Sequence, residues 1–336
     1  MMLEVRLTMP DGRIAVHPAP AEERDAAFGG FPKNSVLTLF DPTPEELGRV
    51  ARAFHLDEAY LRDALDPLER PRVEVGETED GAPVLILVLG LPHQNGDAAS
   101  DGRPGSMPYG VMPVSLVHLK DHLLVVARRA HPAILDVLDG RRAPVATHMK
   151  TRLTLLIFQA VAEAYLAALR ELRALSRAIE RRLRAAHRNR ELFMLLGVNK
   201  SLVYFASALR ASVIVYRRLL AGRDLKLYAD DADLLRSALV DLEQAEELTA
   251  LHADRLSTLM DAYAAVIHNN VNAVLKVLTT LTVVLTLPVL IAGLFTINTR
   301  LPFEDAPWLF GLLLLAMIVS GGALVLYFYQ RNFLRW

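Results

Sequence analysis

Up to about residue 145 the apolar positions come in short bursts, and beyond it they recur with helical spacing over long stretches. Alternation over Leu3–Met9 and the apolar runs Val36–Phe40, Val84–Leu89, Val114–His118 and Leu123–Ala127 predict strands, with Lys120-Asp121 near a hairpin turn. Thr43-Pro44-Glu45-Glu46 is a capping-box sequence with proline at the first helical position, so a helix is expected from there to about Phe54. Asp57 caps a second one ending near Leu65. Gln94 to Pro108, rich in Gly, Asp, Ser and Pro, reads as a mobile surface loop. The helical regime predicts one helix from Thr147 to about His187 and another from Arg190 to about Leu220, closed by Gly222. A third begins near Asp231 and meets no Gly or Pro before Pro288, some 60 residues or roughly 90 Å. A helix of that length needs neighbours along it to be stable.

Two stretches, Val277–Thr299 and Ala306–Gln330, carry no Lys, Arg, Asp or Glu, and only Arg300–Asp305 separates them. Roughly 20 apolar residues span hydrocarbon, so the pair reads as a transmembrane helical hairpin rather than a buried soluble one. Met1–Pro10 alternates like a strand and lacks the apolar core of a signal peptide, so the first 270 residues are expected to stay on the side where they are made. Lys276, Arg331 and Arg335 flank the two runs, whereas the connecting loop holds one Arg and two acids. The positive-inside bias then predicts a multi-pass protein of the cell (inner) membrane with both termini cytoplasmic and the loop outside. The expected division is a cytoplasmic α/β domain (1–146), long cytoplasmic helices and stalk (147–276), a first membrane helix with the start of the outer loop (277–299), outer loop (300–305), second membrane helix (306–330) and basic tail (331–336). A net charge of −1 argues against a wholesale polyanion binder. The absence of cysteine removes disulfides, thiolate chemistry and sulfur-ligated zinc, leaving any metal to oxygen or imidazole.

Stepping along the third helix by three and four gives Asp254, Thr258, Asp261, Ala265, His268, Asn272, Leu275, Thr279, Thr282, Thr286, Val289 and Gly293. Most of that line is polar or small, even where the helix becomes apolar. A threonine in an apolar helix can simply bond its own backbone, and an Asp or His on a helix is most often a solvated residue. Three threonines on one face, continuing an acidic and imidazole line, fit a water-lined axis better. Several copies around that axis would form rings that concentrate cations.

The order of parts resembles the CorA family of divalent-cation transporters over nearly the whole chain. The resemblance is carried by Leu61-Arg62-Asp63 with Arg70-Pro71-Arg72-Val73-Glu74, by Met260-Asp261-Ala262-Tyr263, by Lys276-Val277-Leu278-Thr279 and by Leu290-Ile291-Ala292-Gly293-Leu294-Phe295-Thr296-Ile297-Asn298. It implies a funnel-shaped homopentamer whose first membrane helix lines the pore. The family's Gly-Met-Asn signature falls on Thr296-Ile297-Asn298, and its asparagine ring receives a hydrated ion. Neutral carbonyl dipoles suit Mg²⁺, which dehydrates reluctantly. The zinc-transporting branch shares Gly293-Leu294-Phe295 and Ile297-Asn298, so magnesium stands only just ahead of zinc. The resemblance further implies a cytoplasmic pore entrance at Asp261, to which the shared seven-residue spacing adds Asp254 and His268, and narrowing at Asn272 and Leu275, with Leu275 as a hydrophobic gate. Thr279, Thr282, Thr286 and Gly293 would line the pore. It also implies a regulatory Mg²⁺ site at Asp63, shared with a neighbour's stalk helix; Ser237 stands where the family has the second acid, leaving Asp233 or Asp241 to replace it.

Arg170, Arg173, Arg177, Arg181, Arg182, Arg184, Arg188 and Arg190 make a basic helix end, read as a solvated face partly paired with Glu171 and Glu180; without interleaved aromatics no nucleic-acid partner is expected. No phosphate-cradling glycine loop, cysteine pair or nucleophile elbow is present, so no enzymatic activity and no catalytic cofactor is expected. The expected partners are further copies of the chain, the lipid bilayer and a divalent cation, both transported and regulatory. The rival is a membrane-anchored scaffold that keeps the architecture without conducting.

Overall fold

The computed structural model describes residues 2–9, 14–18, 32–96, 106–186, 189–295 and 308–331. They form two compact units, Met1–Ser257 and Thr258–Trp336.

The first unit is built on a seven-stranded sheet of order β2-β1-β3-β7-β6-β5-β4. Its strands are β1 (Met2–Thr8), β2 (Ile14–Pro18), β3 (Ser35–Phe40), β4 (Arg72–Glu77), β5 (Pro83–Gln94), β6 (Tyr109–His118) and β7 (His122–Ala127). Among the described strands, only β3 and β7 pair in parallel. One face is covered by α1 (Pro44–Ala53) and the short α2 (Ala59–Arg62), which continues as a 3-10 turn, Asp63–Leu65. Leu37, Leu39, Ile86, Val117 and Leu124 of the sheet pack there with Leu47, Val50 and Leu61. The expected capping box at Thr43 is formed in both directions, and Asp57 accepts from the Ala59 amide at 2.9 Å.

The other face carries α3 (Pro132–Leu138), α4 (Lys150–Ala186) and α5 (Asn189–Leu220). Because both faces are covered, β5, β6 and β7 read as continuous apolar runs. Helix and sheet meet closely at Gly90, where an added Cβ would stand 3.0 Å from Val111 and 3.3 Å from Ala208. Tyr216 donates to the Phe158 carbonyl at 2.7 Å, tying α5 to α4. α5 ends at Gly222, whose φ of +71° suits a residue without a Cβ.

α6 (Ala229–Phe295) continues through Pro288, and α7 (Leu309–Gln330) follows. Among the described residues four helices are long and apolar enough to cross a membrane by length and composition. In Lys150–Leu183 and Arg190–Leu220 the apolar windows are 67% and 44% buried, which two-sided packing in the first unit explains. The windows of α6 and α7 are 6% and 0% buried. Their apolar surface is therefore free for lipid or for other copies of the chain.

Candidate ion pathway

In the second unit, Asp261, His268, Asn272, Leu275, Thr279, Thr282, Thr286 and Gly293 are all exposed on α6. Asp254 is also exposed, on the part of α6 that belongs to the first unit. Between Lys276 and Leu294 the covered positions are Thr280, Val284, Pro288 and Ile291, spaced by four, four and three. At 3.6 residues per turn, Val284 points about 200° away from Thr282. The exposed polar line and the covered face thus lie on opposite sides of one helix.

The helix nearest the covered face is α7, where an added Cβ at Gly321 would lie 3.8 Å from Pro288 Cγ. Its own covered positions, Leu309, Leu313, Met317, Ser320, Gly321, Leu324 and Phe328, follow one helical stripe. Small residues at Ser320 and Gly321 permit that approach.

The hydroxyls on the polar line are oriented by their own backbone. Thr282 donates to the Leu278 carbonyl at 2.9 Å and Thr286 to that of Thr282 at 2.7 Å. Such back-bonding consumes the proton and leaves the oxygen lone pairs directed outward. A hydroxyl held this way acts as an acceptor, the polarity a cation or its water requires. Thr280 makes the same bond to Lys276 but from the covered face.

Within one chain Asp63 and Asp233, acids of the expected regulatory site, pair with different arginines. Asp63 accepts from Arg72 at 2.5 Å, and Arg72 also reaches Glu74 at 3.2 Å and Glu69. Burial, the largest single influence, lowers the Arg72 pKa, but the hydrogen bonds it donates to Asp63 and Glu74 and the charges of Glu69 and Asp63 outweigh it and raise the pKa. Asp233 pairs with Arg236 one turn along the helix, and Asp241 is half-buried. Among the described residues no group of three or more His, Asp or Glu could hold a metal ion.

Glu180 faces Arg255 of α6 at 3.9 Å, while Glu171 accepts from the Tyr109 hydroxyl at 2.6 Å. Glu171 is thus drawn to the sheet and away from the basic face. Arg173 and Arg177 approach His252, whose pKa is lowered chiefly by burial and then by Arg173, Arg255 and Arg177. Thr296, Ile297 and Asn298 lie outside the described residues, as do the outer loop and most of the Gln94–Pro108 segment.

A sequence model described as "CorA-like Mg2+ transporter protein" matches residues 36–330. The chain belongs to that family. It is 25% identical over 292 residues to the cobalt/magnesium transport protein CorA of Methanocaldococcus jannaschii, covering 84% of this chain and 86% of that one. Among solved structures, the complete CorA magnesium transporter of M. jannaschii superposes with a TM-score of 0.75 at 20% identity, covering 98% of each chain. The full-length CmaX protein gives 0.68 at 19% identity over 100% of this chain and 98% of that one. The fold of this CorA-like chain, an α/β domain with a long helix, is that of these structures. Family membership makes it a membrane protein of divalent-cation transport.

Sequence reasoning missed the Arg72 cluster and the covered face of α6. The first had a signal in the alternating charges of Arg70-Pro71-Arg72-Val73-Glu74. For the second, the Ser320-Gly321-Gly322 triplet was the only mark in an otherwise uniformly apolar helix.

Proposed function

We propose that five copies of this CorA-like chain enclose the polar face of α6 and that a divalent cation, Mg²⁺ ahead of Zn²⁺, passes along it. The observation carrying this reading is the opposition of faces on α6: the side with Thr282 and Thr286 is exposed and presents acceptor oxygens, while the opposite side is covered near α7. Polar groups at membrane depth belong toward a cavity, so the polar side faces the axis and α7 faces outward. Both termini are cytoplasmic and the 300–305 loop is outside. Asp254, Asp261 and His268 gather cations at the inner end, Asn272 and Leu275 narrow the path, and Thr279, Thr282, Thr286 and Gly293 line it. At the outer mouth Thr296, Ile297 and Asn298 form the filter, with the Asn298 amide oxygens accepting from the ion's first-shell water. This requires no bond making or breaking, so the protein works as a transporter and not as an enzyme.

Zinc is the second reading, favoured by Gly293-Leu294-Phe295 together with Ile297-Asn298. For regulation, Asp63 with Asp233 or Asp241 of a neighbouring copy offers oxygen ligands. The cation would have to displace Arg72 and Arg236, so feedback is weaker than a free carboxylate pair would give.

The test is uptake of Mg²⁺, Zn²⁺, Co²⁺ and Ni²⁺ by liposomes carrying the purified protein. Wild type should take up Mg²⁺, and Asn298→Ala should abolish selective uptake while assembly persists. Unchanged ion preference in the variant removes Asn298 from the filter, and no uptake of any ion favours the non-conducting scaffold.

A further inference from the structure

A cavity of about 780 Å³ lies in the first unit, between the far end of the β5–β6 hairpin, the segment running from Arg129 into α3, and α4. It exists because α4 presents Ala160, Ala164, Ala167 and Ala168 there, leaving space that larger side chains would fill. Pro92, Met112 and Pro132 add apolar wall. The volume is in the range of small-molecule sites, and none of the ion-pathway residues lines it.

Charges on this wall are unequally committed. Glu163 is held by Arg142 at 2.7 Å and Asp136 by Arg141 at 3.2 Å. Glu171 accepts from the Tyr109 hydroxyl at 2.6 Å and the Gln94 amide at 2.8 Å. Arg129, by contrast, has no hydrogen bond or ion pair among the described residues, and Arg170 shows only a bond from its Nε to the Leu166 carbonyl at 3.2 Å. The Glu171 carboxylate keeps its charge beside these neutral donors, so Arg129 and Arg170 leave an excess of one positive charge on the wall.

His93 supplies an independent sign of a missing partner. Its Nδ1 is buried with no hydrogen-bond partner, an arrangement that costs free energy unless something fills it. Burial first, and the Arg129 charge second, lower its pKa. His131 stands beside it, with its Nδ1 accepting from the Ala133 amide at 3.2 Å. A metal ion is a poor fit, since no group of three or more His, Asp or Glu among the described residues could ligate one.

We propose that this cavity binds a small organic anion bearing a phosphate or carboxylate group, anchored by Arg129 and Arg170 and hydrogen-bonded by His93. The alanine surface of α4 carries the apolar part of the molecule. Charge-assisted hydrogen bonds from guanidinium to such a group are among the stronger ones available, so Arg129 contributes most of the anchoring.

Calorimetry or equilibrium dialysis on the full-length protein in detergent tests this with inorganic phosphate, adenosine monophosphate and citrate as probes. At least one should bind with a Kd below about 1 mM. Arg129→Gln removes the anchor and Ala167→Phe fills the space; each should weaken that binding by about tenfold or more at an unchanged Tm. Tighter binding of the nucleotide than of phosphate supports a role for the alanine surface, and binding of citrate alone assigns the ligand to carboxylates. No binding of any probe, or binding that survives either substitution, overturns the proposal.

Discussion

His118 bonds Thr154 of α4 through its Nε2 at 2.8 Å, while Lys150 Nζ reaches the carbonyls of Leu119 and Lys120 at 2.6 and 2.7 Å. Burial, with the Lys150 charge as a smaller cause, pushes the His118 pKa down to about 4. An unfolded chain protonates the same ring near pH 6.5. Above that value both states are neutral and stability is complete. As pH falls from about 6.5 toward 4, the unfolded chain takes up a proton that the fold refuses, and stability declines until the folded ring titrates too. The ring keeps some solvent contact, so the loss is on the order of 2 kcal/mol. His118→Gln retains a group able to bond Thr154 without that titration. Its melting temperature in detergent should fall less steeply than wild type between about pH 6.5 and 4, and parallel profiles would show that the ring is not the cause. The threonines of α6 show the same logic without charge: a back-bonded hydroxyl is an acceptor by construction, whatever the bulk polarity of the helix.

Between helices, α6 and α7 come near one another where Gly321 stands against Pro288. An added Cβ at 3.8 Å is ordinary contact, so Gly321→Ala should change stability by less than about 0.5 kcal/mol. Gly321→Leu places a branched side chain in the same space and should cost about 1–3 kcal/mol by forcing the pair apart. Thermal unfolding of the full-length protein in detergent distinguishes the two, and equal behaviour would mean that the helices do not rely on this contact. That face was hidden in the sequence because a membrane helix is apolar all round, so burial leaves no periodic mark, whereas the polar line could be traced by its spacing alone. The long helices were equally legible, and Thr43 announced α1. Missed were β2, β4 and α3: β4 is an edge strand whose only fully buried residue is Val73, and α3 is capped by His131, an unusual residue at that position. The strands β5 and β6 run past their apolar cores because the hairpin extends beyond β4 and β7, which end opposite Val88 and Val114. Pro92 and Pro113 are tolerated there since their outer sides have no neighbour to bond. In β1, Arg6 is buried against Glu4, Thr38 and Asp139, so an alternation that suggested one solvated face conceals an ion-paired one.

At the scale of the whole molecule, one copy of this CorA-like chain leaves a polar line and its apolar flanks uncovered on the same helix. Lipid satisfies the flanks but not the line, and a heptad-like repeat of exposed positions on a straight helix drifts by about 20° per repeat unless neighbouring helices supercoil around it. The proposed assembly about the line would resolve both demands, and it would bring Leu275, 51% exposed in one chain, into a ring with its equivalents. A narrow ring of leucines closes a pore by dewetting, because water gains too few hydrogen bonds there to offset its confinement. Leu275→Gly widens the ring and exposes backbone, so resting leak of divalent cations in liposomes should rise severalfold while Asn298-dependent selectivity is retained. The glycine also weakens α6 by about 1 kcal/mol, which Leu275→Ala largely avoids while still removing the bulk. Both variants should leak, in the order Gly above Ala above wild type. Leak in the glycine variant alone would trace the effect to helix flexibility, and silence in both would mean that the constriction lies elsewhere on the line.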